Sequence, residues 1–139
     1  MYARIEDFKE FMKHRQAVAR AYVCGDSMPL ADVSAHRDPA TFFGPGGGHE
    51  SGADHVLAVN KAGARHFEPG GETELEILHM SASDELAYWV GIQHATVHLA
   101  DHAAPVPMSL RVTEVFRWEE AAWKLIHRHA DTLVKPASR

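Results

Sequence analysis

Met108-Ser109-Leu110-Arg111-Val112-Thr113-Glu114-Val115-Phe116-Arg117-Trp118 alternates apolar and polar side chains. That alternation belongs to a strand with one face buried. Met108, Leu110, Val112, Phe116 and Trp118 share the inner face; Ser109, Arg111, Thr113, Val115 and Arg117 share the outer one. Glu114 breaks the pattern by falling on the inner face. A buried carboxyl group must be paired or stay protonated, because an isolated charge in an apolar interior is too costly to keep.

The next stretch, Trp123-Lys124-Leu125-Ile126-His127-Arg128-His129-Ala130, offers a partner. An even-length turn across Glu119–Ala122 sets Trp118 against Trp123. Phe116 then faces Leu125, Glu114 faces His127 and Val112 faces His129. Facing side chains sit about 5 Å apart at Cβ. The register predicts a Glu114–His127 couple on the inner face, with His129 about 6.5 Å further along.

Working outward, Thr73 to Met80 and Leu86 to His98 read as two more strands, with turns at Ser81–Glu85 and Asp101–Pro107. No crossover helix separates the four strands, so they pair antiparallel. Leu86–His98 is apolar on both faces: Leu86, Tyr88, Val90 and Ile92 on one, Ala87, Trp89 and Ala95 on the other. A second copy of the chain is the expected cover for the outer patch.

The first seventy residues have helical periodicity instead. Ile5, Phe8, Met12, Ala19 and Tyr22 form a stripe flanked by Phe11 and Val18, Glu6 and Asp7 sit in the first turn, and Gly25 stops the helix. Asp26 or Ser27 can cap a second helix with Pro29 in its first turn, running to near His36. Ala40–Phe43 reads as a short strand and Gly44–Gly48 as a loop. Ser51 and Asp54 read as a capping box for a third helix bearing Val56, Val59, Gly63, Ala64 and Phe67, ended by Pro69-Gly70-Gly71. Helices first and a meander after make an α+β fold, one domain over residues 1–139.

Composition agrees. Of 139 residues, 45% are hydrophobic and 24% charged, as in an ordinary globular domain. The net charge of −5 argues against a nucleic-acid partner. No apolar run reaches the length of a membrane helix, and the first residues carry acids rather than an apolar targeting core, so a cytoplasmic protein is expected. A lone cysteine, Cys24, leaves no internal disulfide and no cysteine metal cluster.

Four stretches carry a resemblance: Ala21-Tyr22-Val23-Cys24-Gly25-Asp26, Ala40-Thr41-Phe42-Phe43-Gly44-Pro45, Arg111 to Arg117, and Trp123 to His129. Together they resemble the nuclear transport factor two-like superfamily, in its SnoaL-like and ketosteroid-isomerase-like branch. The kinase association domain of calcium/calmodulin-dependent kinase has a similar ending. The resemblance implies a cone: a curved mixed or antiparallel sheet wrapped around three N-terminal helices, with an apolar pocket at its wide end. It also implies a homodimer through the sheet face. Glu114 matches the oxyanion-holding acid of ketosteroid isomerase. The general base falls at Gly44 and is missing, and the helix tyrosine falls near Ala19, with Tyr22 one turn away. Ordinary steroid isomerisation is therefore not expected.

Each candidate carries two readings. Glu114 and His127 are a catalytic acid/base pair or a satisfied buried ion pair. His127 and His129 have metal-ligand spacing but no convincing third ligand, so no metal and no cofactor are expected. His94 lies at the pocket mouth or on the surface. Tyr22, Phe42, Tyr88 and Trp89, with His129, line an apolar ligand site, or the aromatics simply fill the core. The remaining histidines, among them His66, read as surface composition. The function implied is a cofactorless isomerase, cyclase or dehydratase acting on an apolar, carbonyl-bearing metabolite. The alternative is a non-catalytic ligand-binding or dimeric assembly domain.

The two-faced strand yields the first prediction. Light scattering at micromolar concentration is expected to give about twice the chain mass; a clean monomer overturns the pairing of two copies through the sheet.

Overall fold

A computed structural model describes residues 4–134. Three helices come first or nearly so: α1 (Ile5–Val23), α2 (Met28–Val33) and α3 (Ala53–Ala64). Two short strands, β1 (Thr41–Phe43) and β2 (His49–Ser51), precede α3. Four long ones follow it: β3 (Phe67–Ala82), β4 (Leu86–Leu99), β5 (Val106–Glu119) and β6 (Ala122–Thr132). They form one six-stranded sheet in the order β2-β1-β6-β5-β4-β3. The long strands pair antiparallel, and β1 joins β6 in parallel, so the sheet is mixed. It is curved and unclosed, and the fold is α+β as its sequence pattern requires.

The core explains the curvature's inner face. Phe8 and Met12 of α1 meet Trp89, Phe116, Trp123 and Leu125 from three successive strands. Phe8 stacks edge-on against Trp123 at 5.5 Å, and Phe11 against Phe116 at 5.2 Å. Gly25 adopts φ 97° at the end of α1, where a side chain would be strained. The β5–β6 hairpin turns through Glu120 and Ala121, both at positive φ, and sets Trp118 opposite Trp123 as expected.

Several local expectations are corrected. Ser51 lies in β2 and forms no capping box; the first free N–H of α3, on Ala53, donates instead to Asp38 Oδ1 at 2.7 Å. α3 stops at Ala64, and Phe67 already pairs with Leu99. Pro69-Gly70-Gly71 therefore sits inside β3, where the register slips between Glu68 and Glu72. β3 is a sheet edge, the place where a proline without an N–H is tolerated. α2 ends at Val33 rather than near His36, because Ser34 turns extended and the Ala35 N–H donates to the Leu125 carbonyl.

The most consequential correction is in β6. Phe116 faces Leu125, but Val115 faces His127 and Glu114 faces Arg128. Ile126 is an extra residue, a β-bulge that reverses the parity of the strand. The bulge lies where β6 takes two new neighbours: Ser34 bridges to Leu125 and Thr41 pairs with His127. Ile126 packs against Ala35, Ala40, Ala53 and Val56. Leu125 and Arg128 thus both point inward, while His127 and His129 point out. The expected Glu114–His127 couple does not form.

Gly91 on β4 is pressed by the neighbouring strand. A Cβ there would overlap the Glu76 carbonyl oxygen of β3. Gly91→Ala is expected to cost about 1–3 kcal/mol or more in a urea melt. Gly46→Ala, where a Cβ meets nothing within 4 Å, is the control and should melt like the parent.

Candidate functional site

The site grows from Glu114, whose side chain is wholly excluded from solvent. Three elements converge on its carboxylate. Arg15 of α1 binds it in a two-pronged fork, Nε to Oε1 at 3.0 Å and Nη2 to Oε2 at 2.8 Å. Trp89 Nε1 of β4 donates to Oε1 at 2.7 Å, and Arg128 Nη1 of β6 donates to Oε2 at 2.7 Å. Burial pushes the Glu114 carboxyl up, but the charges and hydrogen bonds of Arg15 and Arg128 outweigh it and hold its pKa at about 2. The group is an anion saturated with donors, unavailable as an acid or base near neutrality.

Arg128 is fixed from the other side as well. Its Nη2 donates to Gln93 Oε1 at 2.7 Å. Gln93 Nε2 donates to Thr73 Oγ1 at 3.1 Å, and Thr73 Oγ1 donates to the His94 carbonyl at 2.9 Å. Each hydroxyl or amide in this relay has its direction set by the next, so Gln93 must turn its oxygen toward Arg128.

Beside this network lies a cavity of about 310 Å³. Its apolar walls come from Ala19 and Val23 of α1, Leu30 of α2, Phe42 of β1, Val59 of α3 and Leu110 of β5. Its polar walls are Arg15, Arg128, Gln93, Asn60, Tyr22 and His66. Tyr22 donates its hydroxyl to the Asn60 carbonyl at 2.8 Å. A Cβ on Gly63 would lie 2.6 Å from that hydroxyl oxygen, so glycine makes room for it. Burial raises the Tyr22 pKa, against a smaller lowering by Arg128.

The structure gathers some of the expected site residues and scatters others. Tyr22 and Phe42 line the cavity, and Trp89 lies behind it as a ligand of Glu114. His127 is across the sheet, its Nδ1 2.7 Å from Thr41 Oγ1 and its ring 4.9 Å from that of Phe43. Burial and His129 lower the His127 pKa, against a smaller raising by Glu114. His129 meets Phe43 edge to face and faces Asp131 at 3.6 Å. His94 pairs with Glu76 at 2.7 Å and Tyr88 with His79 at 3.2 Å, both on the outer face. Among the described residues no group of three or more His, Cys, Asp or Glu has metal-binding geometry. No helix among them is long and apolar enough to cross a membrane.

Arg15, Arg128, Gln93 and Asn60 were not anticipated, and His66 borders the cavity rather than being surface composition alone. Arg15 had a signal: it occupies the one vacant step, between Met12 and Ala19, in the apolar stripe of α1. A cation on that stripe and an acid on the inner face of β5 are a matched pair of anomalies.

The SnoaL-like domain family matches residues 14–134. No match was found among curated proteins. Solved structures match in fold. A nuclear transport factor 2-like superfamily protein from Salmonella enterica serovar Typhimurium has a TM-score of 0.77 at 14% identity, over 95% of this chain and 92% of that one. A protein of the same broad family from Streptomyces avermitilis has a TM-score of 0.72 at 19% identity, over 94% and 98%. A protein with a cystatin-like fold from Caulobacter vibrioides has a TM-score of 0.70 at 14% identity, over 94% and 89%.

The network sets a pH dependence. Glu114 has a folded pKa of about 2 against an ordinary 4.5. Its contribution is fully present above pH 4.5 and is lost as pH falls toward 2. Glu114→Ala leaves the buried Arg15 and the partly buried Arg128 without their anion and is expected to cost about 3–5 kcal/mol. Denaturant melts at pH 7 and pH 3 test this beside Glu10→Ala, an exposed control. The gap between variant and parent should shrink at pH 3, and an equal melt at pH 7 overturns the assignment.

Proposed function

The chain belongs to the SnoaL-like domain family, and on that footing we propose that it binds an apolar small molecule in the cavity beside Glu114. The carrying observation is the cavity itself: about 310 Å³, walled mainly by aliphatic and aromatic side chains, with a few polar groups among them. That size and lining suit a small-molecule site. Arg128, held by Glu114 on one side and Gln93 on the other, is the fixed polar point for the ligand. Glu114 serves as the anchor of the arginines. This reading keeps Glu114 at the centre of the site but gives it no proton to transfer, and it leaves His127 out.

A second reading is catalytic, and Tyr22 and His66 favour it. Both border the same cavity and both can carry a proton. An isomerase, cyclase or dehydratase acting on an apolar carbonyl compound would draw its developing oxyanion to Arg128 and move the proton through one of these two. The outer sheet face supports pairing of two copies: Leu78 and Leu86 are exposed there, beside half-buried Tyr88, Val90 and Ile92.

Binding of the neutral fluorophore N-phenylnaphthylamine tests the main reading. It is expected to brighten and to raise the melting temperature of the parent protein. Ala95→Phe, which places a ring into the cavity wall, should abolish both effects while folding normally by circular dichroism. Equal binding by parent and Ala95→Phe overturns the assignment of this cavity.

A further inference from the structure

We infer that the ligand is a monoanion, an apolar carboxylate whose oxygens dock on the N–H groups of Arg15 and Arg128 that the protein leaves free. This rests on the cavity reading above and adds the charge of the ligand to it.

The first argument is charge. Two guanidinium groups converge on one carboxylate, so the buried cluster carries one positive charge in excess. No Asp or Glu lines the cavity to cancel it. Tyr22 does not cancel it either, since burial raises its pKa and keeps the phenol neutral. An uncompensated charge in the wall of a mostly apolar chamber is costly without an anion, and a ligand that brings one removes that cost.

The second argument is the count of donors. Arg15 spends Nε and Nη2 on Glu114, leaving Nη1 with no acceptor among the described residues. Arg128 spends Nη1 on Glu114 and Nη2 on Gln93, leaving Nε likewise free. Both residues line the cavity. Guanidinium is the side chain best shaped to accept a carboxylate through paired N–H groups.

The third argument selects the class. One excess charge suits a monoanion; a phosphate dianion would bring a second charge, and no lysine or third arginine lines the cavity to answer it. The remaining walls are mostly apolar, so the body of the ligand is a ring system or hydrocarbon of naphthalene size rather than a polar metabolite. The anchored Glu114 prevents either arginine from swinging away, and preorganised donors of this kind lose little freedom on binding.

The test compares naphthalene carboxylate with its uncharged carboxamide, both displacing N-phenylnaphthylamine from the full chain at pH 7 and low salt. The carboxylate is expected to bind at least tenfold more tightly than the carboxamide. Arg128→Gln should erase that difference, and Arg128→Lys should keep part of it. The Trp89 indole N–H resonance gives a second readout, because Trp89 shares Glu114 with both arginines. It should shift with the carboxylate and not with the carboxamide. If Arg128→Gln fails to fold, the pair of ligands on the parent protein decides the matter alone. Equal binding of carboxylate and carboxamide overturns the anion and leaves the cavity reading standing. Dye binding with displacement by neither compound also overturns the anion. Failure of dye, carboxylate and carboxamide together overturns the cavity reading and this inference with it.

Discussion

A carboxylate with no access to water must be met by cations, and Glu114 is met by two. Its hydrogen bonds come from α1, β4 and β6 while it stands on β5. Four elements that are distant in sequence are therefore tied at one point. Removing any partner leaves the others as buried, uncompensated charge or polarity, which is what makes such a cluster unforgiving. The helix cannot slide along the sheet without breaking the fork from Arg15. Hydrophobic packing of Phe8 and Met12 also draws helix and sheet together, but it is tolerant of small shifts. The ion cluster is not, and it sets where α1 comes to rest.

The same cluster gives a reason for the bulge at Ile126. Trp123 and Leu125 must face the core, and so must Arg128 if Glu114 is to be neutralised. Strict alternation from Leu125 would instead turn His127 inward. One inserted residue reconciles the two demands. The bulge also frees β6 to pair with β1 in parallel and to bridge Ser34, so the short strands and α2 close over the end of the sheet. Phe42, carried by β1, then becomes a wall of the cavity. A single irregularity thus couples the neutralisation of a charge to the construction of a chamber.

Much of this was legible in the residues. The alternation in Met108–Trp118 locates β5 and marks Glu114 as buried, and Trp118 opposite Trp123 is observed as read. The helical stripe of α1 and its stop at Gly25 hold as well. What failed was register past the first inner pairs, because alternation counts residues and a bulge adds one without any mark in composition. Ile126 is apolar and looks like an ordinary strand residue; the residues that receive it in the bulge include Ala35 and Ala40, nearly ninety residues earlier. Arg15 was missed for a different reason. A long cation on a helix reads as solvated by default, and only a buried acid on a distant strand makes it a core residue. β2 was missed because three residues pairing with three others leave no periodicity to detect.

The arrangement separates two tasks that an acid in a cavity usually combines. In a pocket where a carboxylate is to move protons, its pKa must lie near the working pH, which calls for burial without a close cation. Here the opposite has been built: burial with two cations and an indole donor, and a pKa driven down to about 2. The chemistry presented to the chamber is therefore that of the guanidinium groups, with the carboxylate behind them as a fixed counter-ion. Apolar walls around those groups lower the local dielectric and strengthen their attraction for any negative charge they meet. The proposed ligand recognition therefore rests on the guanidinium groups, and the proposed catalytic alternative on Tyr22 or His66 at the cavity border. That is the physical ground for placing ligand recognition ahead of acid–base catalysis by Glu114 in this chain.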